Sequence, residues 1–186
     1  MKRNKRILLL IMMAVLMAMS VVNCTTESSK LGRFYKGKVL HISVVEIERM
    51  AVISFSTIDL EGLQRNFQIK PEDDNNQIVG LRIKVENHTA STAIVNIDNS
   101  AVVLNDFFSN DYIPVDIYKN MIPEPSVEGS VSVTPLWNNI RKDGSFESFA
   151  LPKDTGIDGW MFFEVPIDTT FKEFKWRAGD SLGIVF

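Results

Sequence analysis

Short apolar runs alternate with polar residues along most of the chain, and the most informative is Gly156-Ile157-Asp158-Gly159-Trp160-Met161-Phe162-Phe163-Glu164-Val165-Pro166. Successive side chains on a strand point to opposite faces. Met161, Phe163 and Val165 therefore form one wholly apolar side, the expected core, while Trp160, Phe162 and Glu164 line the other. Pro166 cannot donate to a sheet ladder and ends the strand, and Gly159 lets the chain enter at a tight angle. The clearest alternation runs from Val79 to Glu86, with Val79, Leu81, Ile83 and Val85 on one side and Arg82, Lys84 and Glu86 on the other. That pattern predicts an antiparallel sheet with one solvated face.

The remaining runs are of the same kind. Val39–Glu48 is β-branched and reads as strand, although Val44–Ala51 would tolerate a helix; Ala51–Phe55 is expected to continue it or to pair with it. Asn66–Lys70 is a short strand ended by Pro71, and Asn87-His88-Thr89 turns the chain into Thr92–Ile97, with Ala93, Val95 and Ile97 inward. Ala101–Leu104 and Tyr112–Tyr118 are expected to form a hairpin around Asn105–Asp111. Met121–Pro125 is too proline-rich for a central strand. After a long connection through Gly129, Trp137 and Gly144, Phe146–Leu151 leads into the Gly156–Pro166 strand, and Lys172–Arg177 and Leu182–Phe186 close the domain. Strands this short and evenly spaced, without a convincing helix after the leader, predict an all-β sandwich.

The first residues belong to a different pattern. A basic Met1–Arg6 precedes the apolar run Ile7–Val22, a helical signal segment. As helix that run spans about 24 Å, short of the roughly 30 Å hydrocarbon core, so cleavage is expected rather than a permanent span. The single cysteine, Cys24, stands at the end of the run before polar Thr25–Lys30. This arrangement resembles a bacterial lipoprotein, whose cysteine becomes the lipidated first residue of the mature chain; Asn23 stands where Gly, Ala or Ser is usual. Ala18-Met19-Ser20 is a rival site for ordinary cleavage. The expected location is thus extracytoplasmic, on the cell membrane or outer membrane, through lipid on Cys24.

Composition narrows the chemistry. The chain carries 45% hydrophobic residues over 186 positions, enough for one domain with a core of its own. Without the leader's four cations, 16 Lys and Arg remain against 23 Asp and Glu, a charge of −7. Such an acidic chain is a poor partner for nucleic acid. One cysteine excludes an internal disulfide and a thiolate metal cluster.

The strand ending in Val-Glu-Asn (Leu81–Asn87), Leu104-Asn105-Asp106 with the later Tyr112, the block Gly159–Pro166 and the final Phe174-Lys175-Trp176 together resemble the telokin-like, immunoglobulin-like domains of unknown function found in secreted bacterial lipoproteins. The resemblance covers roughly Lys36–Phe186. It implies an immunoglobulin-like antiparallel β-sandwich and transfers no catalytic residue. The organisation expected is a lipoprotein-type signal peptide at 1–23, a polar tether at 24–35 and the sandwich at 36–186. Where that family has a short Asp-x-x-Gly turn, this chain has Asp106-Phe107-Phe108-Ser109-Asn110-Asp111.

A search for catalytic chemistry finds little. His41 and His88 are far apart in sequence, and no nucleophile elbow or triad signature accompanies them. There is no phosphate-cradling or dinucleotide glycine loop, so no nucleotide cofactor is expected. Glu72-Asp73-Asp74-Asn75-Asn76 gathers oxygen ligands, which makes Asp73 and Asp74 candidates for low-affinity calcium, but the run lacks the glycine and the distal bidentate Glu of an EF-hand and no metal is assigned. Of three tryptophans, Trp176 alternates with Phe174 on an expected inward face, which favours packing over a sugar platform. Asn87-His88-Thr89 matches a glycosylation acceptor but reads as a turn.

Phe107 and Phe108 stand out, being adjacent aromatics where a polar hairpin turn is expected. Either the loop folds back to cap an open end of the sandwich, or it presents an apolar contact for an envelope protein or membrane surface. The function expected is a non-enzymatic, lipid-anchored module for protein interaction or envelope architecture; the alternative is a small-ligand or carbohydrate-binding lipoprotein.

Overall fold

The computed structural model describes residues 30–58, 62–96, 100–123, 132–133, 136 and 148–186. Its elements in chain order are β1 (Tyr35–Lys36), β2 (Leu40–Met50), β3 (Ile53–Ile58), β4 (Gln64–Ile69), β5 (Asn76–Asn87), β6 (Thr92–Asn96), β7 (Val102–Asp106), β8 (Asp111–Tyr112), the helical turn α1 (Ile117–Asn120), β9 (Ile122–Pro123), β10 (Ser132–Val133), β11 (Ser148–Pro152), β12 (Thr155–Pro166), β13 (Phe171–Trp176) and β14 (Leu182–Val185). The leader, Cys24, Ile97, Trp137 and most of the 124–147 connection lie outside the described residues.

The fold is all-β and is built outward from β5 and β12, which pair antiparallel from Asn76↔Pro166 to Asn87↔Thr155. They belong to a central sheet ordered β1-β2-β5-β12. One face of that sheet packs on the sheet β14-β13-β7-β8 and on the pair β11-β6, giving an antiparallel sandwich. As the alternation predicts, Val79, Leu81, Ile83 and Val85 of β5 and Met161, Phe163 and Val165 of β12 are buried there, facing Leu104, Phe174 and Trp176. Burial of such aliphatic and aromatic side chains contributes roughly 1.5–3 kcal/mol each.

The other face departs from expectation. It is not solvated throughout, because a third sheet, β10-β3-β4-β9, covers one end of it. Ile53, Phe55, Ile69, Ile78, Ile117 and Phe162 form a second apolar cluster there, with Trp160 and Met50 packed at its margin. Phe162, on the side of β12 opposite the main core, is therefore itself core. Gly80 makes room for this layer: a Cβ at that position would sit 3.0 Å from Cε3 of Trp160 and 3.2 Å from Cε of Met50. Farther along the same face Arg82 and Lys84 stay in water, Arg82 paired with Asp158 at 2.9 Å.

Val44–Met50 is strand, as its β-branching favours, and a register shift between Val44 and Glu46 keeps Ile47 on the core side beyond it. Local chemistry accounts for two further differences. Ile53 and Phe55 pair with β4 rather than with β2. The expected strand Tyr112–Tyr118 pairs with β7 only as far as Tyr112. Pro114 offers no N–H to extend the ladder, and the carboxylate of Asp116 accepts a hydrogen bond from the Lys119 N–H at 3.2 Å, which starts α1. The outer edge of β12 is closed by Val115 N–H to the Phe162 carbonyl and Leu136 N–H to the Trp160 carbonyl, both 2.8 Å, so this long apolar strand leaves that stretch of its edge paired.

Candidate functional site

The site is best built from Asp106, the last residue of β7, which is buried. Its carboxylate accepts four hydrogen bonds: from the Phe108 N–H at 2.8 Å, the Asn110 N–H at 2.9 Å, Nδ2 of Asn110 at 2.7 Å and the Tyr112 hydroxyl at 3.0 Å. Burial disfavours the Asp106 anion, but the bonds from Asn110, Tyr112 and Phe108 outweigh it and hold the carboxyl below its ordinary value. Burial and then the Asp106 bond raise the Tyr112 phenol. Asn105 adds a bond from its amide to Asp111.

Around this anchor the chain closes tightly, and Ser109 takes a φ of 67°. Ser109 occupies the fourth position of the Asp-x-x-Gly turn, so a serine is held in a backbone region that glycine usually supplies. With both flanks of the turn pinned, Phe107 and Phe108 project outward and are 61% and 88% exposed. The capping alternative is therefore overturned: neither ring folds back on the sandwich. Ile167, in the turn between β12 and β13, is 55% exposed, and the two turns are neighbours because Phe171 pairs with Asp106. The geometry presents apolar surface at a fixed place.

Of the two candidate metal residues, Asp73 is bound into its own turn. Glu164 Oε1 accepts from the Glu72 N–H at 3.0 Å, the Asp73 N–H at 3.2 Å and Nδ2 of Asn76 at 2.8 Å. The Asp73 carboxylate accepts from the Asn75 N–H at 2.8 Å. These oxygens hold a turn together, and among the described residues no three His, Cys, Asp or Glu side chains gather as metal ligands.

The structure also joins two residues that the sequence separates. The rings of His41 and His88 meet edge-on with centroids 5.1 Å apart. Strand register is the cause, since His41 of β2 lies opposite Glu86 of β5, two residues before His88. His88 contacts Glu86 at 2.8 Å and Asp154 at 3.4 Å, and hydrogen bonds to these two carboxylates raise its pKa. Ser43, on the same face of β2, is buried with its hydroxyl unpartnered, so no nucleophile is hydrogen-bonded to a base here. Asn87 is wholly buried; its amide donates to the Ala90 and Leu151 carbonyls, both at 2.9 Å, and accepts from the Thr89 and Ala90 N–H groups. The glycosylation match is thus a structural turn, as expected. Trp176 and Phe174 are core, while Trp160 is half-buried against the second cluster.

No protein-family model and no curated protein matches the chain. Three solved structures resemble it distantly. The ycdA protein of Bacillus subtilis subsp. subtilis str. 168, described as a putative lipoprotein, is 11% identical with a TM-score of 0.46, covering 82% of this chain and 38% of its own. This chain thus spans under half of that protein's length. The yjhA protein of Bacillus subtilis is 12% identical with a TM-score of 0.46, over 79% of this chain and 80% of its own. The secreted protein MPT63 of Mycobacterium tuberculosis is 13% identical with a TM-score of 0.35, over 72% and 92%. At such distances the functional reading rests on the loop and the leader alone.

Proposed function

We propose that this chain is a non-enzymatic, lipid-anchored extracytoplasmic module with an immunoglobulin-like sandwich, tethered at Cys24, that presents Phe107 and Phe108 as its contact surface. The observation that carries this reading is the contrast within one turn: four hydrogen bonds fix Asp106, yet the two largest apolar side chains beside it are left in water. Monomeric proteins scatter single apolar residues over their surfaces, but adjacent exposed aromatics on an ordered loop mark an interaction site. The basic leader, the apolar run and the lone cysteine at its end support the tether.

Two variants test the reading. Cys24→Ser should move the folded domain from the membrane fraction to the soluble one. A serine variant that remains membrane-bound after processing removes the lipid anchor from the account. A Phe107→Ser, Phe108→Ser double variant should unfold within about 1 kcal/mol of the parent, as exposed substitutions do, and should lose its contact in intact envelopes. A loss of several kcal/mol would return these residues to the core, and an unchanged contact would remove them from the interface.

A further inference from the structure

The path by which the chain enters the fold says which end of the sandwich lies near the membrane. Lys36 pairs with His41 and Tyr35 with Ile42, at the end of the central sheet where His88 and Lys153 turn. Followed backwards, the chain runs along β2 away from that end: the Gly32 N–H donates to the Val44 carbonyl at 2.8 Å, and Nζ of Lys30 donates to the Phe186 carbonyl at 3.1 Å. The Phe186 N–H in turn donates to the Lys172 carbonyl, and Lys172 follows Phe171, the residue opposite Asp106. Lys30 therefore leaves the domain heading toward the end that carries Phe107, Phe108 and Ile167.

Length keeps the bilayer close. From Cys24 to Lys30 is six residues, at most about 20 Å when fully extended. Gly32 is held at Val44, opposite Ile83, about 14 Å from the Asn87 end of β5 and about 24 Å from its Asn76 end at the usual rise of a strand, and Lys30 lies two residues farther toward the Asn76 end. Length alone lets a lipid on Cys24 bring either end to the bilayer, and the direction in which Lys30 leaves favours the Phe107 end. Around the Phe107 end the exposed acids Glu72, Asp73, Asp74, Asp111 and Asp168 outnumber the exposed cations Arg49, Lys70 and Lys172. Anionic headgroups repel such a rim and neutral ones do not.

We infer that this end faces the membrane and that Phe107 and Phe108 enter the headgroup layer of neutral phospholipid, as aromatic side chains do at membrane interfaces. The inference rests on lipidation of Cys24 and names the occupant of the proposed contact surface. The test uses the mature lipidated chain in phosphatidylcholine vesicles with brominated acyl chains, comparing tryptophan emission of Phe108→Trp and Lys153→Trp variants with the parent. Emission from position 108 should be quenched by the brominated lipid, that from position 153 should not, and phosphatidylglycerol should weaken the quenching.

Equal quenching at both positions, or quenching at 153 alone, overturns the orientation. Quenching that strengthens with phosphatidylglycerol overturns the assignment to neutral headgroups. If position 108 is unquenched by lipid but shielded by self-association at higher protein concentration, or only when other envelope proteins are present, the occupant is a protein and the inference fails. The mass of the mature chain separates the two levels. A chain without lipid on Cys24 fails the anchoring proposal and takes the orientation with it, while a lipidated, vesicle-bound chain without quenching at 108 overturns the orientation alone.

Discussion

Single residues in this domain divide sharply into those that hold the fold and those that are free of it. Phe163, fully buried between the central sheet and β13, belongs to the first kind; Phe163→Ala should cost about 3–5 kcal/mol in equilibrium unfolding. A loss below about 1 kcal/mol would mean the ring is not core. Asn87 belongs there too, although it is polar: Asn87→Ala removes two donors and two acceptances inside the turn and should cost roughly 2–3 kcal/mol in the same measurement. Phe163 was legible because period-two alternation reports facing directly. Asn87 was legible as a turn but not as a buried hub, since its four partners include the carbonyl of Leu151, 64 residues away.

At the scale of elements, the strands were easier to read than their neighbours. Alternation exposes which residues of β5 and β12 share a side, but not what covers that side. The second layer under Phe162 depends on β3 and β4 pairing with each other, a tertiary choice that Ile53 and Phe55 do not announce. The Asp106 loop shows the same limit: its aromatics were conspicuous in the sequence, while their exposure follows from hydrogen bonds that no pattern reports. This loop carries a pH dependence with a definite sign. Because the folded Asp106 carboxyl lies below its ordinary value, its contribution is fully present above about pH 4. That contribution is lost as pH falls through the depressed folded value. Unfolding profiles of the parent and of Asp106→Asn should therefore differ in their acid limbs, and identical limbs would show that the carboxylate does not stabilise the turn. His88 has the opposite sign: its raised pKa gives a contribution present below about pH 6.5 and lost as pH rises through the folded value. Its exposure keeps that contribution small.

For the whole molecule, the pattern of turns and short strands was enough to give an all-β sandwich, and the order of leader, cysteine and domain was enough to suggest where it works. What the molecule touches was not legible, because an interface depends on which residues the finished fold leaves outside. Leu31 and Tyr35 illustrate the difference: their stretch reads as polar tether, yet both pack against the main core, and this fixes the direction from which the chain arrives. The proposed contact surface at Phe107 and Phe108 is tested most directly by thiol labelling of Phe107→Cys in intact envelopes. Lipid on Cys24 would leave the new cysteine as the only free thiol in that chain. Labelling should be slow in the membrane-held protein and fast when the same substitution is carried by the released Cys24→Ser chain, where loss of the native cysteine leaves the introduced thiol again unique. Equal labelling rates in the two would contradict the account, because the loop would then be as open to solvent at its working place as it is in the isolated domain.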